Sequence, residues 1–495
     1  MPRTITGICI SVAMLLTVGC ASTRQLDGPA DPAAGAIGEV LAPETLETFA
    51  PPDASDAPAN SEVAAGIAGV EPARVSAAAR AFVDAAPFIK PRPSPGTQPA
   101  PRFGPGVTDD VIRIGAPLRL PVSAYAPLYP ETVRPDFRRV WQVVVNAVNS
   151  TGGIMNRRLE PVFLPNEPNP DQICTFFTEE EEVIAVSTDA VPDAAGCLGD
   201  AGVATIAHAY ALWASDYQEA SRAVAPMGIT HERANQLYID GLYQQGFFAG
   251  DHKIGLIRWD TPQYAELSDG VVKPALARYG LEIDEEVLIS DVKNQNQVSN
   301  AQADGWSGVG TFKDAGVDRV LTLDNASYIL PEFTDYAEKQ SYYPRYGLNS
   351  LIGGEWDMER NQLKGAVGIG WMPWVDLEPD DAYRHGSEGG RRCVDLMIAA
   401  GEEKQVDTYN EAIWTSSICD AVLLLKAAVE AGAPSITADS IVSGAETLGT
   451  SFQSANTLVT RFGPGRHEGV AAIRFLRWFV GCECFRYTSD LFDAG

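Results

Sequence analysis

From Val107 onward the apolar residues of the chain follow two alternating periods. In "DDVIRIGAPL", Ile112 and Ile114 alternate with polar neighbours before Gly115, which predicts a strand running into a loop. Phe137, Val140, Trp141, Val144, Val145 and Val148 then recur at helical spacing, the apolar stripe of an amphipathic helix. Gly152-Gly153 ends that helix, because a residue with positive φ belongs just past the last turn. "RRLEPVFLP" is the next strand. This β-α-β unit repeats: "VIAVST", a short helix and "VATIAH", then "KIGLIRW", "EEVLIS" and "DRVLTLD" separated by helical stretches. Alternation of this kind predicts an α/β fold with parallel sheets and right-handed crossovers, with ligands at the carboxyl ends of the strands.

The first hundred residues do not share this pattern. Met1 to Gly19 has one basic residue, Arg3, an apolar run from Ile8 to Val18, and a small residue before Cys20. The run is shorter than the roughly 20 apolar residues that span a bilayer, and its layout is that of a secretory signal. "LLTVGC" resembles a bacterial lipobox, with Thr17 where that motif usually has leucine. Cys20 is therefore expected to become the lipidated first residue of the mature chain. Residues 20–106, rich in Ala, Pro, Gly, Asp and Ser, are expected to form a flexible stalk, because such a composition buries too little apolar surface to offset chain entropy. One short helix is expected within it, from Ala73 to Ala86, with Val75, Ala79 and Phe82 on one face.

Charge narrows the partners. With 65 acidic and 37 basic residues the chain repels nucleic acid, whose binders carry basic patches. A length of 495 residues exceeds what one core usually organises, so at least two lobes are expected.

The segments "VTDDVIRIG", "VVNAVNSTGGIMNRRLEPVFLPNE", "EEVIAVSTDAV", "KIGLIRWDTPQYAE" and "LKGAVGIGWMPWVD" together resemble the type 1 periplasmic binding proteins. Within that fold they are most similar to the branched-chain amino-acid (Liv-type) substrate-binding proteins of ABC transporters. A Rossmann dehydrogenase would instead carry G-x-G-x-x-G at its first strand-to-helix turn, and none is there. The resemblance runs in order from Val107 to near Tyr487. It implies two Rossmann-like lobes joined by a three-crossing hinge, a monomer that closes on a small polar solute and passes it to a membrane permease. It implies no enzyme activity and no cofactor. The expected divisions are residues 107–227 for the first part of lobe one, 228–353 for lobe two, 354–475 for the return to lobe one, and 476–495 for a C-terminal hinge and lobe-two segment. The expected location is the outer face of the bacterial cytoplasmic membrane, lipid-anchored.

Beyond Cys9 and Cys20, the chain has Cys174, Cys197, Cys393, Cys419, Cys482 and Cys484. Export favours disulfides over free thiols. Cys174 and Cys197 bracket one unit of lobe one, Cys393 and Cys419 lie on two helices that can be antiparallel neighbours, and Cys482 and Cys484 form C-x-C. These are the expected pairs, the last closing the shortest ring. No metal site is expected, since the histidines are scattered and no H-E-x-x-H occurs.

By position in the resembled family, the ligand-facing loops are Ser187, Thr188 and Asp189 after "VIAV", and His208, Ala209 and Tyr210 after "VATI". Lobe two contributes Trp259 and Tyr264, Asp324 and Asn325 after "RVLTL", and Asn349 and Ser350 after "RYGL". Tyr264 matches a ligand-facing tyrosine of the family. Ser187 and Asp189 have a plainer reading as helix caps. Trp306, Trp371 and Trp374 are read as packing residues. The chain departs from the amino-acid binders at Asn349, where they place a carboxylate that pairs with the ligand ammonium. An uncharged amide forgoes the charge-assisted bond, so an amino acid is not the default ligand.

Two rival functions are weighed. An exported hydrolase is disfavoured, because "GWSGVG" around Ser307 has Val309 where G-x-S-x-G needs glycine, and "DLEPDD" lacks the spacing of a calcium loop. An envelope sensor or regulator on the same fold is the alternative, since fold does not fix function.

Lipidation at Cys20 has a direct check. The protein should partition into a detergent phase, and Cys20→Ser should release it to the aqueous phase. Unchanged detergent partitioning of the variant would exclude Cys20 as the anchor.

Overall fold

The computed structural model describes residues 72–84, 100–117, 135–164, 170–188, 194–208, 211–292, 297–323, 329–350, 358–375 and 386–495. The signal segment, Cys20 and most of the stalk lie outside these residues.

The first lobe is built on a five-stranded sheet in the order β2-β1-β3-β4-β6. Its strands are β1 (Val111–Pro117), β2 (Arg158–Leu164), β3 (Ala185–Thr188), β4 (Ala204–Ala207) and β6 (Ala223–Val224), all parallel to their neighbours. β3 and β4 are buried along their whole length, which is why they read as unbroken apolar runs rather than alternating ones. The helix Phe137–Ser150 connects β1 to β2 and buries Val140, Trp141, Val144, Val145 and Val148, the stripe expected from its periodicity. Asp136 caps its start by accepting from the Arg139 amide. Gly153, at φ 73°, sits in the turn before β2, where an added Cβ would lie 2.0 Å from the Arg157 carbonyl oxygen. Only glycine fits both the left-handed backbone and that contact.

The helices Glu388–Ala399, Tyr409–Ala431 and Ala438–Thr447 complete this lobe, sharing one core with Trp141, Ile112 and Ile114. Glu411–Ala431 is apolar and long enough to cross a membrane by composition, but most of it is buried inside the protein. The short helix expected near Ala73 forms as Pro72–Asp84 and is not part of a free stalk. Phe82 and Ala79 are buried in the first-lobe core, and Arg102 and Gly104 exchange backbone hydrogen bonds with Ile436. The folded region therefore begins upstream of Val107, because the apolar face of that helix finds a partner far away in sequence.

A two-stranded ladder, β5 (Ala211–Leu212) with β7 (Ile229–Thr230), precedes the second lobe. The second sheet runs β14-β13-β12-β11-β10-β8-β9, with β15 on β13. Its parallel part comprises β8 (Ile254–Trp259), β9 (Glu285–Ile289), β10 (Arg319–Thr322), β11 (Arg345–Asn349) and β12 (Val367–Gly370). An antiparallel end follows: β13 (Ala472–Phe479), β14 (Cys484–Tyr487) and β15 (Phe492–Asp493).

This corrects two expected boundaries. The chain does not return to lobe one after Gly354; β12 pairs with β11 in the second sheet, and Met358 to Val375 belong to the second core. Residues 472–475, expected in the return to lobe one, begin β13, and residues 476–495 lie in lobe two as expected, where they complete the β13–β14 hairpin.

The chain passes between lobes after β6, after β12 and before β13, and these passes are bonded to one another. Ala225 N–H donates to the His467 carbonyl at 2.8 Å, and Gly469 N–H to the Ala225 carbonyl at 2.8 Å. Val470 N–H donates to Gly228 at 3.1 Å, and Leu458 N–H to Trp371 at 2.8 Å. Gly469 comes so close to the first pass that an added Cβ would lie 2.0 Å from the Pro226 carbonyl oxygen.

All three expected disulfides are present, with Cα–Cα distances of 6.2 Å for Cys174–Cys197, 6.1 Å for Cys393–Cys419 and 5.2 Å for Cys482–Cys484.

Gly469→Ala should force the first and third passes apart. We expect a loss of about 1–3 kcal/mol in urea unfolding, the usual range for overpacking a tight contact. Gly463→Ala, on the same connection but with open space around the added methyl, is the control. Equal stability of the two variants would show that the close approach at Pro226 does not hold the hinge.

Candidate functional site

Parallel strands deliver their carboxyl ends to one edge of each lobe, and most of the expected site residues lie there. Ser187 and Thr188 end β3, and His208 follows β4. The two strands pair Ser187 with Ile206 and Thr188 with Ala207, so the sequence positions meet by register. Ser187 Oγ and His208 Nε2 are hydrogen-bonded, and the His208 amide donates to the Thr188 carbonyl at 3.0 Å. Both side chains are buried, at 3% and 6% exposure. Burial lowers the His208 pKa from 6.5 to about 4, so the imidazole is neutral at physiological pH and offers one acceptor and one N–H. Ser187 is therefore engaged with a side chain across the sheet. The helix that follows, Ala195–Asp200, starts at Ala194 with no side-chain cap.

A second group forms around Tyr264. The helix Pro262–Leu267 is started by Thr261, whose hydroxyl accepts from the Tyr264 amide. The Tyr264 ring meets Trp213 edge-on at 5.1 Å between centroids and His231 at 5.9 Å, while Trp213 stacks on His231 at 4.2 Å. Trp213 lies between β5 and β6, His231 opens the helix His231–Gln244 just after the first pass, and Tyr264 follows β8. The trio thus joins the connection after β5, the helix that follows the first pass and the helix after β8, and Trp213 and Tyr264 both pack against the second core. Glu232 fastens it from below by accepting from the Ala214 amide, and Asp216 accepts from the Trp213 amide at 2.7 Å.

Trp213 and His231 were missed by the sequence reading. The signal was there for Trp213, in "LWASD", where Asp216 sits three residues on as a helix-start partner. His231 carries no local motif.

Asn349 ends β11 and is buried, at 5% exposure. Ser350 next to it is occupied structurally: its hydroxyl accepts from the Trp371 amide at 2.9 Å and its own amide donates to Ile369 at 3.0 Å. Trp259 is 8% exposed at the end of β8. Trp371 and Trp374 lie in the second core, as packing residues should, whereas Trp306 is half exposed and touches Tyr336. Asp189, Ala209, Tyr210, Asp324 and Asn325 lie outside the described residues. Among the described residues no group of His, Cys, Asp and Glu side chains could hold a metal ion.

No family model matches the sequence, and no curated protein matches it. Solved structures do match. An ABC transporter substrate-binding protein from Desulfitobacterium hafniense in complex with Leu has 18% identity and a TM-score of 0.53, covering 77% of this chain and 100% of that one. A fatty acid ABC transporter substrate-binding protein from Thermomonospora curvata has 14% identity and a TM-score of 0.54, over 79% and 95% of the two chains. A solute-binding protein of an ABC transporter from Rhodopseudomonas palustris HaA2, in complex with p-hydroxybenzoic acid, has 13% identity and a TM-score of 0.55, over 78% and 98%.

His208 makes stability depend on pH in a defined direction. Its folded pKa of about 4 lies below the unfolded value, so between pH 6.5 and about 4 the unfolded chain binds the extra proton and stability falls as pH falls. The loss across that interval is on the order of 3 kcal/mol. Asp420, which burial pushes up to about 7, acts with the opposite sign, so the comparison must be between wild type and His208→Gln. Their difference in unfolding free energy should shift between pH about 7 and about 5 in favour of the variant. A pH-independent difference would mean that His208 is not buried in its neutral form.

At these identities the likeness speaks for the fold, and with the two parallel-stranded sheets and the three passes it places the chain in the two-lobed α/β fold of the type 1 periplasmic binding proteins.

Proposed function

We propose that this chain is an extracytoplasmic solute-binding protein that captures a small polar solute between its lobes and delivers it to an ABC permease. The observation that carries the reading is the Trp213–His231–Tyr264 cluster, in which the connection after β5, the helix that follows the first pass and the helix after β8 meet on the second-lobe side of the hinge. A ligand held there and by the first lobe would favour the closed arrangement by its differential affinity. The Ser187–His208 pair supports the same reading as a neutral donor-and-acceptor set at the end of the first sheet. We read it as ligand-facing rather than catalytic, because an imidazole with a pKa near 4 is a poor general base at neutral pH.

The solute is an open class. The similar structures are a leucine complex, a fatty acid transporter component and a p-hydroxybenzoic acid complex. Asn349 offers an uncharged amide, which favours a solute without an ammonium group. Anchoring through Cys20, a tether upstream of the folded region and a monomeric state belong to the same proposal.

A thermal-shift panel of amino acids, aromatic carboxylates and fatty acids on the purified protein tests it. A true ligand at about 100 times its Kd should raise stability by ~2.7 kcal/mol. Tyr264→Ala and Trp213→Ala should weaken that ligand while the free protein still folds, and small-angle scattering should show a smaller radius of gyration with ligand bound. A confirmed ligand that leaves the radius unchanged and binds Tyr264→Ala normally would refute the cleft.

A further inference from the structure

The three disulfides among the described residues sit in different surroundings. Cys393 and Cys419 are buried between two helices, at 0% and 1% exposure. Cys174 and Cys197 are half-buried beside the first sheet. Cys482 and Cys484 close a ring across one residue, at the tip of the β13–β14 hairpin. The two ends of that ring differ: Cys482 is exposed and Cys484 is buried. The residue between them, Glu483, is held at φ 49°, a left-handed backbone that residues with a side chain rarely adopt.

We propose that Cys482-Glu483-Cys484 is a thiol–disulfide exchange site that oxidises small thiols, with Cys482 the attacked sulfur and Cys484 the leaving one. The proposal is independent of the solute reading. A disulfide contributes stability mainly by closing a loop, and the contribution grows with loop length. A ring across a single residue contributes least, and it also holds Glu483 in a costly backbone conformation. Exposed and constrained disulfides are the ones that exchange readily.

The sidedness sets the order of events. A thiolate RS⁻ reaches only Cys482; the RS–Cys482 bond forms as the bond to Cys484 breaks, and Cys484 leaves as a thiolate. A second RS⁻ then attacks the R sulfur of the mixed disulfide, releasing RSSR and the Cys482 thiolate. Two protons from solvent complete the dithiol, so two RSH give up two electrons and the protein disulfide takes them. The hairpin keeps its frame when the ring opens, because β13 and β14 remain paired from Leu476 with Tyr487 to Phe479 with Cys484, and the Tyr487 hydroxyl donates to the Met372 carbonyl at 2.8 Å.

The test is a redox titration of the native, full-length protein in mixtures of reduced and oxidised dithiothreitol, without denaturant, followed by acid quenching, alkylation and peptide mapping. Cys482–Cys484 should be half-reduced at a reduced-to-oxidised ratio about tenfold lower than either other disulfide, a difference of about 30 mV. In Cys484→Ser, glutathione disulfide should form an adduct on Cys482 rapidly; in Cys482→Ser, Cys484 should react slowly. Reduction of Cys482–Cys484 no earlier than the other two would overturn the proposal, and that wild-type measurement decides even if a variant fails to fold. Equal reactivity of the two single cysteines would overturn the assigned direction of attack.

Discussion

Three backbone passes link the lobes, and the hydrogen bonds among them are the constraint on which the rest of the structure depends. Ala225 both donates to His467 and accepts from Gly469, so the first and third passes run as a short ladder. The third pass folds back on itself through Arg461 with Gly469 and Ala471 with Val459, and Leu458 ties it to Trp371 at the start of the second. Side chains reinforce it: Arg233 donates to the Val470 carbonyl at 2.8 Å and pairs with Glu468, while Arg461 pairs with Asp493 near the C-terminus. Each lobe has its own sheet and core, so this ladder is where a change in the angle between them must be accommodated.

The candidate site inherits its chemistry from that arrangement. His231 opens the first helix after the ladder, and its stacking partner Trp213 precedes it by a few turns of chain. The first-lobe pair Ser187 and His208 is deeper and neutral. Among the described residues Asn349 adds a buried amide at the end of β11.

The strand-and-helix order was legible because both periods are local. Ile112 and Ile114 alternate on β1, and Val140 to Val148 line one face of a helix, as their spacing requires. The cysteine pairs were legible too, since each bond lies within a short stretch of chain: 23, 26 and 2 residues. The strand-end residues Ser187 and His208 could be found because parallel strands expose their carboxyl ends whatever their order in the sheet. Trp213 and His231 could not be matched, because what joins them is a stack between residues from different elements.

Local sequence thus determined which faces of each element are apolar, where helices stop, and which strand ends carry hydroxyl, imidazole and amide groups. It left undetermined what covers each apolar face. Val367–Gly370 reads as a buried strand wherever it goes; its place beside β11 follows from a long-range pairing. The helix Pro72–Asp84 reads as a short helix within a flexible stalk, yet Phe82 is buried against helices more than three hundred residues onward. The hydrophobic effect is non-directional, so a period of 2 or 3.6 marks a face for burial without naming its partner. The partner is chosen only when the whole chain packs, and with it the path of the hinge and the residues of different elements that meet, such as Trp213, His231 and Tyr264.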